Sequence, residues 1–158
     1  MTNGTKELAD VMAVIRKCFN QMKALSDELH EPLGVTSSMR SVLEYLSAHG
    51  SDTVPRIARQ KGVTRQHIQT IMNVLLEQEL VESVENPAHK RSTLFRLTSG
   101  GEAAYAEVAA AEQAPLKRML ANLENVPLNE AWQALEAFSE QLDLEFERAS
   151  GKQDRNVR

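Results

Sequence analysis

The stretch from residue 53 to residue 97 leaves few folds open. Two short helical patterns are separated by only Gly62-Val63-Thr64, and beyond them the hydrophobic period changes from about 3.6 to 2. Thr53 can cap the first of these helices, with Pro55 in the opening turn, where a missing N–H costs nothing. Ile57 and Ala58 would form its buried face. Gly62 supplies the backbone freedom a sharp turn needs, and Val63 is expected to plug the corner. Thr64 then caps a helix to about Gln78 that buries Ile68, Ile71, Met72 and Leu75. After Leu80 the segments 81–85 and 93–97 alternate as strands around a basic tip, His89-Lys90-Arg91. Helix, tight turn, helix and hairpin in that order spell a winged helix-turn-helix.

Helices flank this block. Leu8, Val11, Ile15, Cys18, Met22, Leu25 and Leu29 step by threes and fours along one long helix, and Val14 and Phe19 widen the stripe. So wide a stripe needs partners on more than one side. Pro32 and Gly34 end it, and Thr36 caps a second helix whose inward face is Met39, Val42, Leu43 and Leu46, stopping at Gly50. Thr98 or Ser99 opens a helix to about Leu123 with a kink expected at Pro115. A last helix carries Leu128, Trp132, Leu135, Phe138, Leu142 and Phe146, and a polar tail begins at Ser150. The expected class is mainly α with one small β-hairpin. Aromatics at 4% agree, since the core must come from aliphatic and Met side chains.

The net charge of −4 does not argue against a nucleic-acid partner, because the charge is segregated. Residues 52–98 hold 7 basic and 5 acidic groups, whereas residues 99–158 hold 6 and 11. Between 53 and 76 stand Arg56, Arg59, Lys61 and Arg65 with no acid at all. An acid-free block between acidic flanks has the character of a binding face. No apolar run reaches the roughly 20 residues of a membrane span, and the first seven residues lack a secretion-signal pattern. A lone cysteine forms no internal disulfide, so a cytoplasmic location is expected.

In a helix-turn-helix the second helix lies in the major groove. Its outward positions here are Arg65, Gln66, Gln69, Thr70 and Asn73, with Thr64 and His67 beside them. Arg suits guanine, Gln suits adenine, and Thr suits a thymine methyl or a phosphate. His89, Lys90 and Arg91 would reach backbone or minor groove, and Arg56, Arg59 and Lys61 are candidate phosphate contacts that set register. Each has a plainer reading as a solvated surface residue or polar turn. His67 either touches DNA or flanks the helix. His30, His49, His67 and His89 are too scattered for a metal site, and no cofactor is expected. No catalytic motif occurs, and Gly100-Gly101 reads as a helix start, so an enzyme is not expected.

The run Thr53-Val54-Pro55-Arg56-Ile57-Ala58-Arg59-Gln60-Lys61-Gly62-Val63-Thr64-Arg65-Gln66, continuing through Leu75, Leu76, Leu80 and Val81, resembles the MarR family of transcription regulators. The hairpin exit Arg96-Leu97-Thr98-Ser99-Gly100-Gly101, the long first helix and the closing helix pair resemble it too, from about Leu8 to Phe146. The resemblance implies a homodimer of winged lobes on a palindromic operator, usually a repressor, often released by a small aromatic or anionic effector. It divides the chain into a dimerisation helix (1–35), a winged helix-turn-helix (36–98), dimerisation helices (99–149) and a flexible tail (150–158). Leu8, Val11, Ile15, Leu128, Trp132, Leu135, Phe138 and Leu142 would then hold the dimer.

Two departures from the family pattern stand out. His89 and Asn86 occupy wing positions where Asp is common, so a wing-internal ion pair is not expected and a histidine could make binding pH-sensitive. Arg40 stands where many members carry an aromatic residue. If that position lines a ligand site with Cys18 and Met22, an anion is favoured; otherwise Arg40 is a dimer or surface residue. Cys18 also invites a thiol-based redox-sensing reading, although its place in the apolar stripe favours packing. The remaining alternative is a winged-helix module for protein–protein assembly without specific DNA binding.

Overall fold

The computed structural model describes residues 3–87 and 92–149. Its helices are α1 (Asn3–His30), α2 (Ser37–His49), α3 (Val54–Gln60), α4 (Arg65–Glu77), α5 (Ser99–Ala121) and α6 (Leu128–Ala149). Strands β1 (Val81–Val84) and β2 (Leu94–Leu97) lie between α4 and α5. The chain forms two compact units, residues 1–116 and residues 117–158. The first contains the helix-turn-helix and the hairpin.

Helix α1 ends where Pro32 begins a single 3-10 turn, Glu31–Leu33, and Gly34 takes a left-handed φ of 67°. Its stripe finds little cover within the chain. Leu8, Val11, Val14, Phe19, Met22 and Leu25 are exposed, Ile15 is half-buried, and Cys18 is exposed rather than packed. Only His30, at the last turn, is fully buried. Within the single chain the stripe position leaves the Cys18 thiol exposed.

Helix α2 starts as expected, with Thr36 Oγ1 accepting from the Met39 N–H at 3.2 Å. Asp27 on α1 adds a second acceptor, 3.0 Å from the Ser37 N–H. Met39, Val42, Leu43 and Leu46 are buried, and they meet Ile57 and Ala58 of α3, Ile68, Ile71, Met72 and Leu75 of α4, Val81, Phe95 and Val108 in one core. Two local expectations need correction. Thr53 stands at the N-cap of α3 with extended backbone but makes no side-chain cap hydrogen bond, and the Asp52 carboxylate accepts from its N–H at 2.7 Å. Val63 does not plug the corner but remains 40% exposed. The turn closes through backbone, Val63 N–H to Ala58 C=O at 3.0 Å, while Gly62 adopts φ 64°.

The hairpin is antiparallel, with Val81 opposite Leu97 and Val84 opposite Leu94, one residue shorter on each strand than the alternation predicted. Asp52 adds an isolated bridge to β2: its N–H and C=O exchange hydrogen bonds with Phe95 at 3.0 and 2.8 Å. The wing is thus bound to the residue that opens the helix-turn-helix. At the exit, Thr98 caps α5, its Oγ1 accepting from the Gly101 N–H at 3.0 Å and donating to the Glu79 carbonyl at 2.7 Å. A Cβ on Gly101 would lie 1.9 Å from the Leu80 carbonyl oxygen, so only glycine allows this approach of α5 to the start of β1.

In residues 117–158, α6 shows a second apolar stripe. Leu128, Trp132, Leu135, Leu142 and Phe146 are exposed, and Phe138 is half-buried.

Candidate nucleic-acid interface

The outer face of α4 is what the fold of this lobe presents. Ile68, Ile71, Met72 and Leu75 anchor one side of the helix, which forces Arg65, Gln66, Gln69, Thr70 and Asn73 outward, all exposed together with His67. Thr64 Oγ1 accepts from the His67 N–H at 3.1 Å, so this hydroxyl fixes the start of the helix. Thr70 donates to the Gln66 carbonyl at 3.0 Å. Gln69 donates to Asn73 Oδ1 at 2.9 Å. Arg65, Gln66 and His67 have no side-chain hydrogen bond or ion pair among the described residues. The α4 N-terminus adds unpaired N–H groups and the positive end of the helix dipole, which suit a phosphate.

The neighbouring cations are held to different degrees. Asp52 is buried and serves four partners: it accepts from the Tyr45 hydroxyl at 2.8 Å and the Thr53 N–H, bridges Phe95 through its backbone, and lies 3.2 Å from the Arg56 Nε. Burial, and then the Asp52 carboxylate, push the Tyr45 hydroxyl pKa up. The Arg56 side chain, 71% exposed, is therefore steered by a buried carboxylate while its outer nitrogens face solvent. Lys61 lies 3.7 Å from Glu44 and 5.9 Å from the centre of the Tyr45 ring, which also stacks on His49 at 4.4 Å. Arg59 is exposed. In the wing, Arg96 pairs with Glu82 across the strands at 2.7 Å. The tip residues His89, Lys90 and Arg91 lie outside the described residues.

Arg40 is held between two carboxylates. Its Nε and one terminal nitrogen donate to the two oxygens of Glu112 on α5 at 2.7 and 2.9 Å, and the other donates to Glu44 at 2.9 Å. Hydrogen bonds from Arg40 hold the Glu112 carboxyl below its usual range, and the same bonds push the guanidinium up. His30 Nε2 lies 3.3 Å from Glu112 Oε1 without a hydrogen bond, while Nδ1 meets Ser26 Oγ at 3.1 Å. The cation proposed for an anionic effector is thus already matched by two carboxylates. Met22 and Cys18 are exposed on α1. Sequence reasoning missed Asp52, Tyr45, His30 and Glu112. Only Asp52 had any signal, as the last acid before the acid-free block.

No helix among the described residues is long and apolar enough to cross a membrane, and no cluster of three metal-ligating side chains occurs among them.

A tight helix-turn-helix with an antiparallel hairpin bound to its first residue defines the class of winged helix-turn-helix proteins. Residues 33–92 match the model of the MarR family. Over that segment the chain is similar to the MarR family of transcription regulators. An uncharacterized protein of Mycobacterium tuberculosis is 47% identical over 49 residues, 31% of this chain, and the match spans about a third (34%) of that relative's length. The HTH-type transcriptional repressor MdtR of Bacillus subtilis is 26% identical over 78% of this chain and 79% of its own. Among solved structures, the MarR family transcription regulator SP03579 superposes with a TM-score of 0.76 at 28% identity, covering 92% of this chain and 98% of that one. A mutant MarR from E. coli complexed with operator DNA shares the fold, with a TM-score of 0.70 at 21% identity, covering 89% of this chain and 99% of that one.

Proposed function

We propose that this chain is a sequence-specific DNA-binding repressor that grips a two-fold symmetric operator as a homodimer, with α4 in the major groove. The observation that carries the reading is the outer face of α4: side chains suited to guanine, adenine and thymine, no acid before Glu77, and Arg65, Gln66 and His67 exposed without a side-chain partner among the described residues. Arg56, Arg59 and Lys61 would contact phosphates and set register, Lys61 with the side chain less exposed than that of Arg56. Lys90 and Arg91 of the wing would secure the adjacent groove. The repressor MdtR and the operator-bound MarR supply the precedent for this use of the fold.

The dimer reading rests on two apolar stripes left in water, on α1 and on α6, considered separately. A soluble monomer rarely exposes contiguous apolar surface of this kind, and second copies of α1 and α6 are the occupants that two-fold binding requires. Effector release by an anion at Arg40 is the weaker part of the family pattern here, because such a ligand would have to displace Glu112.

Binding of the purified protein to its own upstream DNA and to a scrambled duplex across a salt series tests the proposal. Specific DNA binding gives a preference for the upstream duplex and an affinity that falls steeply with salt, as displaced counterions require. Arg65→Ala should weaken that complex by about 1–3 kcal/mol and relax selectivity. An equal loss on both duplexes would reassign Arg65 to phosphate. Salt-insensitive or absent binding to both would favour the protein–protein assembly reading.

A further inference from the structure

We propose that Gln69 and Asn73 read one A·T base pair jointly, as a single two-residue unit. The inference rests on the reading of α4 as the groove-facing helix and adds what that helix selects. The two side chains are exposed, one turn apart on the outer face of α4, and tied by the hydrogen bond from Gln69 Nε2 to Asn73 Oδ1 at 2.9 Å. The neighbouring hydroxyls are already committed to the helix itself, Thr64 as its N-cap and Thr70 on the Gln66 carbonyl.

The tie decides what remains for DNA. With one Gln69 N–H given to Asn73, Gln69 Oε1 is left as an outward acceptor and the Asn73 amide nitrogen as an outward donor. Exchanging nitrogen and oxygen in both amides reverses the internal bond but leaves the same complement, with donor and acceptor swapped between the two residues. In either orientation one side chain brings an acceptor and the other a donor. Adenine is the base whose major-groove edge sets a donor, N6–H, beside an acceptor, N7. Guanine sets two acceptors there and would leave the amide oxygen unpaired against O6 or N7, which is costly once water is excluded. A free Gln or Asn can make the same bidentate contact alone. The internal bond splits the task between two residues and so makes each depend on the other.

The test starts from the duplex that the wild-type protein enriches from a random pool, with each A·T pair of a half-site replaced by G·C in turn. Gln69→Ala and Asn73→Ala should each lose the A·T preference at the same single position, by about tenfold. The double variant should lose no more than either alone. Asn73→Asp keeps the acceptor for Gln69 but removes the outward donor, and should lose the preference as well. Replacing that adenine by 7-deazaadenine should weaken wild-type binding and leave the double variant unchanged. Both side chains are exposed, so circular dichroism of the variants should match wild type. Losses that add, that fall on different base pairs, or that are equal on the enriched duplex and on random DNA overturn the joint reading while leaving α4 in the groove. Enrichment of no sequence at all removes the groove reading of α4, and this inference with it.

Discussion

Asp52 ties several parts of the lobe together. The residue is 3% exposed, its carboxylate accepts from Tyr45 and Thr53 and faces Arg56, and its backbone forms the isolated bridge to β2 of the wing. Asp52→Ala would strand a buried tyrosine hydroxyl and a buried N–H, and a donor left unsatisfied costs about 1–3 kcal/mol. Urea denaturation should therefore show Asp52→Ala destabilised by that order and Asp52→Asn by less, since the amide oxygen still accepts while the charge facing Arg56 is lost. Equal and negligible losses would show that the hydrogen bonds are dispensable. At this scale the outer face of α4 was readable from the chain alone, because helical period and exclusion of acids are local properties. The partners of Arg40 were not, since Glu112 lies 72 residues away and only the packing of α5 on α2 brings them together. Thr53 does stand at the N-cap of α3, as its residue type suggests, but its side chain makes no cap hydrogen bond.

The helix boundaries of the central lobe followed from Thr36, Gly50, Pro55, Gly62 and Thr64, whose caps and turns act within a few residues. The junctions between elements of different type were less legible. Glu79 takes a left-handed φ of 56° between α4 and β1, a conformation that side-chain chemistry alone would assign to glycine or asparagine. The Gly100-Gly101 pair looked like an ordinary helix start, yet the two positions differ sharply. A Cβ at Gly100 would meet nothing closer than 3.5 Å, whereas at Gly101 it would collide with the Leu80 backbone, which cannot rotate away. Gly101→Ala should accordingly destabilise the protein by about 1–3 kcal/mol through forced backbone displacement. Gly100→Ala should be neutral or stabilise by up to about 1 kcal/mol through the unfolded chain. Thermal melts of the two variants side by side check this, and a matched effect of both would mean that α5 can shift away from Leu80 freely. The hairpin came out shorter than its alternating sequence because Glu85 and Thr93 lie outside the paired ladder.

Across the whole molecule, the readings that held are those that one chain can satisfy alone: the helix-turn-helix, the hairpin and the order of the flanking helices. The apolar stripes of α1 and α6 were visible as periodicity, but periodicity does not say what covers them, and within one chain both are left largely in water. The exposed Cys18 belongs with this observation, since it sits on a stripe that only another surface could bury. If two copies supply that surface, the two α4 helices are related by a two-fold axis, and their DNA must carry the same symmetry. Enrichment of binding sites from a random duplex pool by the full-length protein tests this most directly. The account predicts an enriched inverted repeat with half-site centres about one helical turn, roughly 10 bp, apart, or a multiple of that spacing. It also predicts that Arg65→Ala weakens the enrichment and relaxes the preference at the position that Arg65 reads. Failure to enrich any sequence, or a site with no two-fold symmetry that Arg65→Ala binds equally well, would contradict it.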